Sequence, residues 1–211
     1  MRSVIFVALA LWLGLVIFLG SQGAFVGSAN LPPLPIFFGL AIPLAIFFAA
    51  YLGWSAFRNF ILGADLRLVT AIQAWRWAGL GFLSLYASGV LPPLFALPAG
   101  LGDMAIGFTA PWILLRLFRH PSFAASRRYM TWNILGLVDF VVAVSTATLS
   151  SGFFPGITRL MGNVTASPMT HLPLVLIPAY MVPFFSMLHF TALFQARQLA
   201  RSGKSAPAFN N

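Results

Sequence analysis

The sequence predicts an all-α polytopic integral membrane protein, with six transmembrane helices arranged as three up-down hairpins. Three observations carry this: scarce charge, apolar runs of bilayer length, and Lys and Arg that alternate between the two ends of those runs. Of 211 residues, 60% are hydrophobic and 7% charged, against about a quarter charged in soluble domains. Mean hydropathy is +0.91. The acids are Asp65, Asp103 and Asp139, with no Glu. Lipid is therefore the expected solvent and the bilayer the first partner.

A hydrocarbon core about 30 Å thick requires about 20 apolar residues in a helix. Runs of that length fall at 3–20, 36–57, 69–90, 98–116, 129–149 and 173–196. They define a single six-helix transmembrane domain over 1–196, followed by a polar, flexible cytoplasmic tail over 197–211. The first run, preceded by Arg2 and followed by Gly27-Ser28-Ala29, has some features of a signal peptide. Its apolar stretch of about 17 residues exceeds the usual 7–15 of such a segment, so it is read as a retained anchor.

Between the runs, one side holds Arg2, Arg58, Arg67, Arg116, Arg119, Arg127, Arg128, Arg197, Arg201 and Lys204, whereas the other holds Arg159; Arg76 lies inside a run. The positive-inside rule then puts both termini in the cytoplasm of a cell (inner) membrane. The formal charge of +9 is dispersed between apolar runs instead of gathered on one solvated face, which argues against nucleic acid as a partner. Zero Cys excludes disulfides, thiolate metal sites and iron–sulfur clusters.

Leu31-Pro32-Pro33-Leu34 is repeated as Leu91-Pro92-Pro93-Leu94, with a thinner copy at Leu172-Pro173-Leu174. Proline suits a first helical turn, where its missing N–H has no intrahelical partner, so these are helix starts. Pro43, Pro98, Pro111, Pro178 and Pro183 follow inside the inward-running helices. Each removes a backbone hydrogen bond and predicts a bend.

Ionisable groups at membrane depth are costly, about 2.5–3.5 kcal/mol each on insertion scales, and face the bundle interior. The third run carries Gln73 and Arg76, three apart; the sixth carries Ser186 and His189, again three apart. At ~1.5 Å per residue, Arg76 and His189 both lie on the order of 10 Å from the cytoplasmic end, close to the depth of Asp139. The fifth run sets Asn133, Gly136, Asp139, Ala143, Thr146 and Ser150 on one arc, a small and polar stripe. Packing explains Gly136 and Ala143 but not Asp139. Asp103, between Gly102 and Met104 on the fourth run, is placed to cap a bent helix, line an outward vestibule or pair with Arg76. The candidate substrate or proton site is thus Arg76, Asp139, His189, Asp103, Gln73, Asn133 and Ser186.

No catalytic or metal-ligating constellation and no cofactor site is expected. Ser145 with His189 lacks the turn of an intramembrane serine protease. His171 and His189 are too far apart along one helix to share a haem. Lys204 is the only lysine and lies outside every run, which excludes a retinal Schiff base. Gly100, Gly102 and Gly107 do not have the spacing of a dinucleotide loop. The long loop 151–172 is apolar enough to lie on the membrane surface, to cover an outward cavity or to dock a partner. The function expected from these features is a small-solute permease or exporter, proton-coupled through the polar cluster. The alternatives are a non-enzymatic membrane subunit or sensor whose polar residues lock helices together, with homo-oligomer or membrane-complex partners, and a membrane enzyme acting on lipid or quinone.

Overall fold

The computed structural model describes residues 2–28 and 31–204. Among them every regular element is helical. In order these are α1 (Arg2–Ser21), α2 (Leu34–Gly53), α3 (Ser55–Leu62), α4 (Leu66–Gln73), a 3₁₀ segment (Ala74–Gly79), α5 (Leu80–Ala87), α6 (Pro93–Arg119), α7 (Arg127–Leu149), α8 (Pro155–Leu160) and α9 (Val182–Lys204), which a π-helical turn (Ile177–Met181) precedes; short 3₁₀ turns also occur at Pro121–Ala125 and Ser167–Thr170. The Leu-Pro-Pro-Leu copies do start helices: Pro33 and Pro92 are the N-caps of α2 and α6. Both helices stay continuous through Pro43, Pro98 and Pro111. The π turn, in contrast, falls between Leu176 and Val182, where Pro178 and Pro183 withhold N–H groups from the ladder.

Five helices are long and apolar enough to cross a bilayer. The third run, expected as one helix, is instead α4, the 3₁₀ segment and α5 in series. This departure has a sequence-level cause. Thr70, Gln73, Arg76, Gly79 and Phe82 are all buried, a period of three that a 3.6-residue helix would smear across its surface and that a 3₁₀ turn holds on one face. Trp75 and Trp77 point away and are exposed. The second run also ends early. Extended backbone at Trp54 stops α2 at Gly53 and starts the short α3, which was not anticipated. Gln195 of α9 donates to the carbonyls of Ile61 (2.8 Å) and Ala64 (2.9 Å), satisfying the end of α3. Asp65, the one acid outside the apolar runs, caps α4 by accepting from the Arg67 amide at 2.8 Å.

The elements between 66 and 87 pack with α6, α7 and α9 into the central bundle. One layer of its core joins Val69, Ile106, Ala110, Tyr129, Trp132 and Ala192; another joins Phe82, Leu91, Phe95, Ala99, Ala166 and Met169. Helices α1 and α2 sit at the periphery. Phe6, Leu11, Phe38, Ile42 and Ile46 stay exposed on them, as lipid-facing helices require. Val16 of α1 packs on Val175 and Ala179, and Trp12 stacks obliquely on Tyr180 at 4.5 Å. Beyond Arg197, where a frayed tail is expected, α9 continues to Lys204; residues 205–211 lie outside the described residues.

Candidate functional site

Helix α6 meets the 3₁₀ segment along Gly100, Asp103, Gly107 and Ala110, residues three or four apart and hence on one face. Backbones touch there. A Cβ on Gly100 would lie 2.9 Å from the Gly79 carbonyl, one on Gly79 would lie 2.5 Å from Asp103 Cβ, and one on Gly107 would collide with the Trp77 amide. Glycine is required by this close approach. It brings the Arg76 side chain between α6, α7 and α9.

Arg76 is 3% exposed and its guanidinium is engaged on every side. Nε donates to Asp103 Oδ1 at 2.7 Å, Nη2 donates to Asp139 Oδ2 in a second ion pair, and Nη1 reaches the Gly136 carbonyl (3.3 Å) and His189 Nε2 (2.9 Å). The Phe140 ring lies under its carbon at 3.9 Å, a cation–π contact. Two further glycines open the space. A Cβ on Gly102 would overlap the Asp139 carboxylate, and one on Gly136 would overlap the His189 imidazole.

The state of His189 follows from its partners. Arginine only donates, so Nε2 must accept. The imidazole is then neutral with its proton on Nδ1, donated to Asn133 Oδ1 at 2.9 Å. Asn133 in turn donates to the Tyr129 carbonyl (2.9 Å), and the Tyr129 hydroxyl meets Thr70 at 3.1 Å. His189 therefore supplies no positive charge to the carboxylates. Among the described residues Arg76 is the only Lys or Arg paired with either acid. With both carboxylates ionised the cluster carries one uncompensated negative charge, which a proton or another cation would neutralise.

The expected candidates divide accordingly. Arg76, Asp103, Asp139, His189 and Asn133 form one connected network. Gln73 lies beside it but donates to the Phe185 carbonyl at 3.3 Å, and its Oε1 is buried without a partner. Ser186 does not join; its hydroxyl bonds the Val182 carbonyl of its own helix at 2.7 Å. Ser145 likewise bonds Val141 (2.7 Å) and does not face His189. Gly102, Gly107 and Phe140 were not anticipated, because their roles depend on which helix lies opposite. No cluster of metal-ligating side chains occurs among the described residues.

A cavity of about 290 Å³ leads to this network from the end of the bundle that carries the 151–170 loop. The loop forms its rim: the Ala166 amide bonds the Ser150 carbonyl at 2.8 Å, and Ser151, Thr165 and Ser167 line the mouth. Phe37, Phe82, Phe95 and Phe140 line the walls, with Pro178 from the π turn and Val182 just after it. Asp103 also lines it, and its side chain is 18% exposed against 1% for Arg76.

Residues 33–197, from the cap of α2 through most of α9 and including the whole network, match a family described as Domain of unknown function (DUF8737). No curated protein and no solved structure matches the chain.

Proposed function

The chain thus belongs to the DUF8737 family, whose description carries no activity, and from the site itself we propose a small-solute permease or exporter of the cell (inner) membrane, coupled to protons through Arg76, Asp103 and Asp139. One observation carries the reading: a single guanidinium is shared by two carboxylates, and one of these lines a cavity. Segment 66–87 acts as the sixth crossing, and both termini lie in the cytoplasm, where the positive-inside rule puts the arginine-rich ends. The cavity then faces outward. A proton or solute arriving at Asp103 competes with Arg76 for that carboxylate. Arg76 released from Asp103 keeps Asp139, Gly136 and His189, so the guanidinium has two stable arrangements, the kind of bistable element that alternating access needs. Such a carboxylate at membrane depth is a natural proton carrier.

The test is flux. Purified protein is reconstituted in vesicles holding a pH-sensitive dye, and small organic cations, anions and neutral solutes are offered in turn. One class should drive proton movement that protein-free vesicles and the Asp139→Asn variant lack. Silence from all three classes, with protein that is folded and inserted, would refute the permease.

A second reading has its own support. Both His189 nitrogens are engaged and the residue is 0% exposed, as expected of a lock between α7, α9 and the 3₁₀ segment in a non-enzymatic subunit or sensor. The two readings part on the triple variant Arg76→Gln, Asp103→Asn and Asp139→Asn, which leaves no stranded carboxylate. A lock is relieved by removing all three charges and keeps its function; a permease refolds without flux.

A further inference from the structure

The walls and floor of the cavity differ in chemistry. Four phenylalanines, Phe37, Phe82, Phe95 and Phe140, contribute to its lining, and Asp103 is the one ionisable side chain among the described lining residues. Arg76, the cation paired with Asp103, is buried behind it, and no Lys or Arg is among the described lining residues. Asp103 Oδ1 is committed to Arg76, and its second oxygen has no hydrogen-bond donor among the described residues. Aromatic faces and an under-compensated carboxylate both favour positive charge and disfavour negative charge. At ~30 Å³ per water, the volume equals about ten waters, near the lower end of ligand pockets at ~300–1,000 Å³. That admits one ring with a small head group.

We propose that this cavity binds a small apolar organic cation, an aryl- or alkyl-ammonium ion, with its body among the phenylalanines and its charged head on the carboxylate of Asp103. The ammonium supplies the positive charge that one arginine cannot give two carboxylates. The proposal rests on the reading of Asp103 as part of the functional site and names its substrate class. Binding needs no turnover, so the two are separable: a cation bound but not moved leaves this proposal standing and removes the permease, whereas flux of a different solute class does the reverse.

The experiment is calorimetric titration of the full chain in detergent with three probes of similar size: benzyltrimethylammonium, benzyl alcohol and phenylacetate. Saturable binding is expected for the ammonium alone. Asp103→Asn should weaken it about tenfold or more. Ala147→Phe, which fills the cavity two turns along α7 from Asp139, should abolish it while the protein still melts cooperatively, which covers the case in which Asp103→Asn fails to fold. No saturable binding of the ammonium by folded protein, binding that survives both substitutions, or preference for phenylacetate or benzyl alcohol would overturn the proposal.

Discussion

Arg76 makes two buried ion pairs through one side chain, so its substitution strands two carboxylates at once. Removing one partner of a buried pair is destabilising by about 3–5 kcal/mol, because the remaining charge keeps its desolvation penalty. Arg76→Gln should therefore be the worst single change in the network and Asp139→Asn a milder one. Combined, they should lose less than the sum of the two, a coupling measured as the melting temperatures of the four proteins in detergent. Additive losses would mean that the carboxylate and the guanidinium act independently. Gly136 gives a steric counterpart. Its added methyl would overlap the imidazole, so Gly136→Ala should be destabilising by about 1–3 kcal/mol, while Gly14→Ala, where a Cβ meets nothing within 4 Å, should melt unchanged or slightly higher. Much of this cluster is legible in the sequence, because helical rise alone gives Arg76, Asp139 and His189 similar depths and intramembrane charges seek one another. The tautomer of His189 and the openings at Gly102 and Gly136 are not legible. They depend on facing helices, and rise along a helix says nothing about azimuth.

At the scale of the element, the third apolar run is where periodicity misleads. Hydropathy over 69–90 is satisfied equally by a continuous α-helix and by a broken one, since lipid selects for apolar length and not for helix type. The distinguishing signal was present in the every-third-residue set Thr70, Gln73, Arg76, Gly79 and Phe82, but it identifies a 3₁₀ face only once these residues are known to be buried. The same opacity hid α3, for Trp54 extends the apolar run although its backbone ends α2. The broken segment depends on α6 glycines more than on its own propensity. Gly107→Ala would push the Trp77 amide away and with it Arg76, so it should lower the melting temperature and, under the permease reading, abolish flux. Gly81→Ala, in α5 with nothing within 4 Å of its Cβ, should leave stability unchanged or raise it by roughly 0.5–1 kcal/mol, the helix-interior difference between Gly and Ala. Equal losses at both positions would show that backbone flexibility, and not the contact with α6, is what glycine supplies.

Across the whole molecule, the charges divide in the same sense as the cavity. Arg116, Arg119, Arg127 and Arg128 border the turn between α6 and α7, and Arg58 and Arg67 border the turn between α3 and α4. At the opposite end of α7, the rim of the cavity is formed by Ser151, Thr165 and Ser167, with Arg159 on the neighbouring α8. Insertion machinery retains arginine on the cytoplasmic side, and a solute site entered from outside needs its mouth on the other. The two requirements agree only if segment 66–87 crosses the bilayer despite its 3₁₀ centre; five crossings would leave the termini on opposite sides. Because the chain has no cysteine, single thiols report this directly. Thiols at Ser88 and Thr165 in intact cells should react with a membrane-impermeant maleimide, and thiols at Ser126 and Gly63 should react only after permeabilisation. If Ser88 and Gly63 prove accessible from the same side, segment 66–87 does not cross, the cavity loses its outward mouth, and Asp103 becomes a buried structural acid.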